Sequence, residues 1–198
     1  MMTPATCRIS DGSMTSSVNP KSAIQNLRSK TLYYHICPTA FGYGAILFQA
    51  RPFILKCIFL PRPHQNALTK AIQRIGPIEP GHTPAVLNLC KDIQLYFEGA
   101  PVRIPWKFLD LGALTPLQRK ILKAVASVPW GKVRSYGEIA AQVGHPRACR
   151  FVGTTLAKNP FPIFVPCHRI IRADGSLGGF SAGTDLKKRM LALEKQKG

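Results

Sequence analysis

Between Thr31 and Leu60 the chain reads TLYYHIC, YGAILFQA and PFILKCIFL, three runs rich in aromatic and β-branched residues that Gly and Pro separate. Short runs of this composition favour strands, and their breakers favour short connections, so a small sheet of sequence neighbours is expected. Two helical stretches follow, QNALTKAIQRIG and TPAVLNLCKDIQLYFEG. The second has a strong start signal, with Thr83 as N-cap and Pro84 at the first helical position. VRIPW reads as a return to the sheet, and this unit is expected to end near Pro105. Its His64 and His82 stand beside prolines and read as solvated loop residues.

The second half follows a helical period. LTPLQRKILKAVASV repeats the Thr–Pro start and puts Leu117, Ile121, Leu122 and Val125 on one face. In SYGEIAAQVG, Ser135 and Glu138 have capping-box spacing, with Ile139, Ala140 and Val143 on the apolar side. After a GHP turn, RACRFVGTTLAKN reads as another helix, and the pair fits a helix-turn-helix. Periodicity assigns Ala148, Phe151, Val152, Thr155 and Leu156 to the core, leaving Arg147, Arg150, Gly153, Thr154 and Ala157 outward. The expected fold class is α+β: a small N-terminal α/β domain over 31–105, then a mainly helical domain over 106–198. Residues 1–30, rich in Ser, Thr, Asn and Lys, read as a basic disordered extension in which SAIQNLRSK could form a short helix.

The formal charge is +18, and residues 106–198 hold sixteen Lys/Arg against five Asp/Glu. Such an excess points to a polyanionic partner, nucleic acid first and a membrane surface second. No apolar run approaches the ~18 residues of a membrane span, and no secretory signal pattern opens the chain. The six cysteines are scattered without a C-x-x-C pair, which fits a reducing compartment, cytoplasmic or nuclear rather than secreted. A zinc site would need long-range pairing of His35, Cys37, His64 or Cys90, and no ligand spacing supports it, so no metal or cofactor is expected.

The segment FVPCHRII, Phe164–Ile171, sets a cysteine beside a histidine. Cys167 has three readings: a buried core thiol, a metal ligand, or a nucleophile. Three prolines among Asn159–Pro166 argue against a central strand and for an extended, irregular path. In an extended path Cys167 and His168 point to opposite sides. That disfavours a cysteine hydrolase, which needs direct Cys–His contact, and leaves a bent backbone or a relay through water. His168, Arg169 and Arg172 are cations able to lower a thiol pKa from about 8.5.

The order VPWGKVRSYGEIA, ACRFVG, NPFPIFVPCHRII, GGFSAG and MLALEK, from about Leu114 to Glu194, resembles the O6-alkylguanine-DNA alkyltransferases, also called methylated-DNA–protein-cysteine methyltransferases. The resemblance implies a single-use repair reaction that moves an alkyl group from guanine O6, and less readily thymine O4, in DNA onto Cys167. It implies His168 as the base acting through water, Glu194 as its orienter, Tyr136 as proton donor to the leaving base and Asn159 as a brace of the turn. Ser181, Phe180 and Ile170 would contact the flipped base, and Arg150 would fill the vacated stack. Arg147, Arg150, Gly153, Thr154 and Ala157 would meet the minor groove of double-stranded DNA with little sequence preference. A monomer without a membrane partner is implied. Phe180 stands where many members carry tyrosine, Ala182 where glycine is common, and Leu117 where phenylalanine is common, which leaves the pocket size open.

Two other readings compete. Alkyltransferase-like proteins bind alkylated bases without transfer, but carry tryptophan at the acceptor position, against Cys167. A basic helix-turn-helix module with a structural cysteine explains the charge but not the ordered set Cys167, His168, Ser181 and Glu194.

Overall fold

The computed structural model of the 198-residue chain describes residues 31–76 and 78–196; the extension and its expected short helix lie outside them. The three strand-like runs form β1 (Leu32–Thr39), β2 (Gly42–Gln49) and β3 (Ile54–Arg62), paired antiparallel in sequence order. Gly42 turns the first hairpin with φ +112°, and a Cβ there would lie 2.3 Å from the Arg62 carbonyl oxygen. Only glycine tolerates both the dihedral and the approach. After α1 (Gln65–Gln73), the two-residue β4 (Glu79–Pro80) joins β1 in parallel, giving the order β3-β2-β1-β4.

α2 (Pro84–Phe97) begins where its signals lie: the Thr83 hydroxyl accepts from the Val86 N–H at 3.2 Å. Val86, Leu89, Cys90, Ile93, Tyr96 and Phe97 recur at three- and four-residue steps and are buried, packing with Ile46 and Phe48 of β2. Leu68 and Ile72 of α1 pack with Ala45 of the same strand, on the opposite sheet face because neighbouring strand residues alternate.

VRIPW does not return to the sheet. Pro101 and Pro105 remove two N–H donors from five residues, and a 3₁₀ turn at Trp106–Phe108 follows. The sheet is met later, by one parallel bridge between Leu55 and Leu109 and an ion pair between Lys56 Nζ and Asp110 Oδ2 at 2.6 Å.

Beyond this point lie α3 (Pro116–Ala126), α4 (Tyr136–Gln142), α5 (Cys149–Ala157) and α6 (Thr184–Gln196), with a two-residue parallel pair of β5 (Arg134–Ser135) and β6 (Ile170–Ile171). Thr115/Gln118 and Ser135/Glu138 form full capping boxes at α3 and α4. Gly144, at φ +83°, ends α4 before the turn into α5. The expected inner face of α5 needs correction. Its buried residues are Cys149, Val152, Thr155 and Leu156, whereas Ala148 is the half-buried N-cap and Phe151 is 39% exposed. Cys149, not Phe151, supplies the apolar anchor, and at 100° per residue Phe151 then lies roughly 110° round from the middle of the buried face.

One apolar cluster runs from Cys37 and Phe48 through Tyr96 and Phe97 to Leu156, Ile170 and Met190, so the sheet unit and the helical unit share an interior. The Ile58 N–H of β3 donates to the Pro160 carbonyl at 2.8 Å, tying the sheet to the segment that leads into Cys167. Among the described residues no helix is long and apolar enough to cross a membrane.

Candidate active site

The proline-rich segment after α5 is held by one side chain. Asn159 Nδ2 donates to the Val165 carbonyl at 2.9 Å, and its Oδ1 accepts from the Phe161 N–H at 3.0 Å. Between these staples Ile163 is buried with φ +77°, a conformation that β-branched residues avoid. The extended path expected for this stretch is not found: Pro162–Phe164 is a turn, closed by the Val165 N–H donating to the Phe161 carbonyl at 2.8 Å. Cys167–Arg169 is one turn of 3₁₀ helix, with the Arg169 N–H donating to the Pro166 carbonyl at 3.0 Å. Strand alternation therefore does not describe Cys167 and His168. Their side chains have different partners because His168 turns toward α6.

His168 is fully buried, with Nε2 2.7 Å from Glu194 Oε1. The Tyr96 hydroxyl donates to the same oxygen at 2.9 Å and lies 3.0 Å from Nε2. Arg169 grips the carboxylate with both ends of its fork, Nε to Oε2 at 2.8 Å and Nη2 to Oε1 at 3.1 Å. The Gly131 N–H adds a contact to Oε2 at 3.2 Å. Burial alone would raise the Glu194 pKa, but the donors from His168 and Arg169 outweigh it and bring it down to about 2. A carboxylate held ionised keeps the imidazole proton on Nε2. Nδ1 is then the acceptor, and it is buried with no hydrogen-bond partner. Burial lowers the His168 pKa against the raising effect of Glu194, so the ring is neutral at pH 7.

Cys167 is 6% exposed. Burial raises its pKa, while a hydrogen bond to the Asn159 side chain, the charge of Lys187 and the backbone N–H groups of Cys167 and His168 act the other way. The resting group is a thiol whose polar neighbours favour the thiolate, so it becomes nucleophilic when a base takes its proton. Lys187 is fully buried and donates to the carbonyls of Ile170, at 2.6 Å, and Leu177. It thus ties β6 to the middle of the loop that follows, and burial pushes its pKa down to about 8.

Tyr136 opens α4, held by the Ser135 cap, and is 8% exposed. Burial and the neighbouring Cys167 raise its pKa, which keeps the phenol protonated and able to donate. A Cβ on Gly153 of α5 would lie 3.9 Å from its ring, and one on Gly178 of the loop 3.0 Å from its hydroxyl oxygen. Tyr136 is therefore sandwiched between helix and loop. Ile170 is buried in β6, Phe180 half-buried against the core, and Ser181 exposed on the loop. Arg147, Arg150, Thr154 and Ala157 are exposed along α5, with Gly153 half-buried. Among the described residues, no group of three or more His, Cys, Asp or Glu could hold a metal ion.

Three functional neighbours escaped the sequence reading: Tyr96, Arg169 as a carboxylate clamp, and Lys187. Lys187 left a trace, because it shares a face of α6 with Met190 and Glu194 at i, i+3, i+7, where a lysine without a partner would be costly. Tyr96 left none; its place on the buried face of α2 is that of an ordinary core aromatic.

The family profile described as 6-O-methylguanine DNA methyltransferase, DNA binding domain, matches residues 116–196. A methylated-DNA–protein-cysteine methyltransferase of Mycobacterium bovis is 47% identical over 140 residues, covering 68% of this chain and 84% of that relative. One from Methanothermobacter thermautotrophicus is 40% identical over 110 residues, covering 56% of this chain and 61% of that relative, less than two thirds of its length. The fold matches the crystal structure of Mycobacterium tuberculosis O6-methylguanine methyltransferase with a TM-score of 0.64 at 30% identity, over 85% of this chain and 95% of that one. Mycobacterium tuberculosis OGT in complex with DNA matches at 0.63 and 30%, over 83% and 94%. With close to half of the residues identical across most of a relative's length, the chain belongs to the methylated-DNA–protein-cysteine methyltransferase family.

Proposed function

We propose that this chain repairs DNA by moving an alkyl group from O6 of a guanine, and less readily O4 of a thymine, onto Cys167, once per molecule. The observation that carries the reading is the buried His168 Nδ1, without a hydrogen-bond partner in the residue next to a buried thiol, while Nε2 is committed to Glu194. Through one water, Nδ1 takes the Cys167 proton, and Glu194 stabilises the imidazolium. The thiolate attacks the alkyl carbon as the bond from that carbon to O6 breaks. The electron pair stays on the base, and Tyr136 supplies the proton that neutralises it. An sp³ carbon suits a soft sulfur nucleophile, and the thioether formed has no leaving group to restore the thiol.

The reacting atom is inaccessible in a stacked duplex, so the nucleotide must turn out of the helix into the space beside Tyr136, Ile170, Phe180 and Ser181. Arg150 is exposed on α5 and would enter the vacated stack, while the other cations of this face would supply salt-dependent affinity for phosphates. A similar protein solved with DNA supports the partner.

The test is incubation with an oligonucleotide carrying O6-methylguanine, followed by intact mass and peptide mapping. The expected result is one added methyl on Cys167, absent in Cys167→Ser. Binding without a mass gain would instead indicate a non-transferring binder of alkylated bases, and repeated turnover would overturn the single-use reaction.

A further inference from the structure

The outward face of α5 carries a residue that neither the fold nor the chemistry above uses. Phe151 is 39% exposed and stands between Arg147 and Arg150 on one side and Thr154 and Lys158 on the other, all exposed. From His145 to Asn159 the chain has no acidic residue. A solvated phenyl ring contributes little to the core beneath it, which Cys149, Val152, Thr155 and Leu156 fill without it. Gly153 lies about 160° round the helix from Phe151, on the side of α5 where an added Cβ would sit 3.9 Å from the Tyr136 ring.

An apolar ring framed by cations matches a nucleic-acid groove, where phosphates flank the less polar sugars and base edges. Proteins that open the minor groove insert such side chains against a base step. Successive helical residues diverge by about 100° and rise about 1.5 Å, so Phe151 and Arg150 reach different places on the duplex. We propose that Phe151 is an apolar wedge of this chain, packing on deoxyribose and base edges of the minor groove next to the step that Arg150 enters. It helps hold open the gap left by the turned-out nucleotide. This inference rests on the DNA-repair reading above and adds to it a residue that supplies non-ionic affinity for duplex.

The test compares Phe151→Ala, Phe151→Leu and Arg147→Ala with the unaltered chain. Affinity for a duplex carrying O6-methylguanine is measured across a salt series, beside single-turnover transfer from the free methylated base. Phe151→Ala is expected to weaken duplex binding about 5- to 30-fold at every salt concentration with an unchanged log–log slope, since it releases no counterion. Arg147→Ala should flatten the slope by about one. Phe151→Leu should keep most of the affinity, and transfer from free base should be unaltered in both Phe151 variants. Unchanged duplex affinity in Phe151→Ala, or an equal loss on duplex and free base, would overturn the wedge. If the unaltered chain binds duplex but transfers nothing, the alkyl-transfer reading fails, and the Phe151 comparison still decides the contact.

Discussion

The Tyr96 hydroxyl donates to Glu194 Oε1 at 2.9 Å, joining a helix of the sheet unit to the last helix of the chain. The two residues are 98 positions apart and both fully buried. A hydrogen bond to a buried carboxylate contributes about 1.5–3 kcal/mol, more than a neutral pair. Tyr96→Phe keeps the ring contacts with Phe97 and Trp130 and removes only the donor. Urea unfolding is expected to show a loss in that range, with slower single-turnover transfer as His168 loses a neighbour that fixes its ring. A loss below about 0.5 kcal/mol would mean that the hydroxyl is a bystander.

Acid should dismantle the same cluster in a defined window. Glu194 has a folded pKa of about 2 against an ordinary carboxylate value near 4.5. Above pH 4.5 both the folded and unfolded forms are ionised, and the stabilisation is fully present. As pH falls below 4.5 the unfolded form takes up a proton first, so stability declines until the folded pKa is passed. The span corresponds to roughly 3 kcal/mol. Glu194→Gln should unfold more easily at pH 7, by about 3–5 kcal/mol, because it leaves the Arg169 guanidinium unpaired beneath α3. The variant should also lose most of this acid limb, as denaturant titrations between pH 2 and 7 would show. An acid limb of unaltered depth in the variant would place the titration elsewhere.

The loop over Tyr136 offers a paired comparison. Gly178 has φ +65° and would put a Cβ 3.0 Å from the Tyr136 hydroxyl oxygen; Gly175 has φ +82° and nothing within 4 Å. Both alanine substitutions cost about 1–2 kcal/mol of left-handed backbone strain. Gly178→Ala also pushes the loop off the Tyr136 hydroxyl. Transfer should slow about tenfold or more in Gly178→Ala and stay near normal in Gly175→Ala, measured as single-turnover methyl uptake. Equal rates in the two would show that the loop's distance from Tyr136 does not matter.

Much of the architecture was readable because it is written locally. The Thr83–Pro84 and Thr115–Pro116 starts and the Ser135/Glu138 capping box each depend on neighbours within four residues, and each helix begins there. β4 was not readable: two residues carry no period, and only β1 beside them makes them a strand. VRIPW failed because apolar composition suggested a strand where Pro105, and Pro101 just before the run, deny two donors. Phe151 failed because a helical period admits two faces when a small cysteine and a large aromatic compete for the core. The cluster around Glu194 draws on Tyr96, Gly131 and the His168–Arg169 pair from three separate stretches, and no spacing rule joins them. His168 was singled out by its place beside Cys167 and Glu194 through family resemblance, and Tyr96 was outside the region that the resemblance covers.

On the proposed alkyl-transfer reading, a sulfur used only once must not react with the wrong molecule. Cys167 exposes 6% of its surface, and the burial that hides it also holds its proton in place. Small electrophiles and peroxides in solution attack thiolates, so a thiol kept protonated and covered is slow toward both. The sulfur is withheld from whatever diffuses past and becomes available to a carbon delivered on an inserted base. Low reactivity at rest is thus a form of selectivity. It discriminates by mode of entry rather than by electrophilic strength, and it preserves each molecule for its single event.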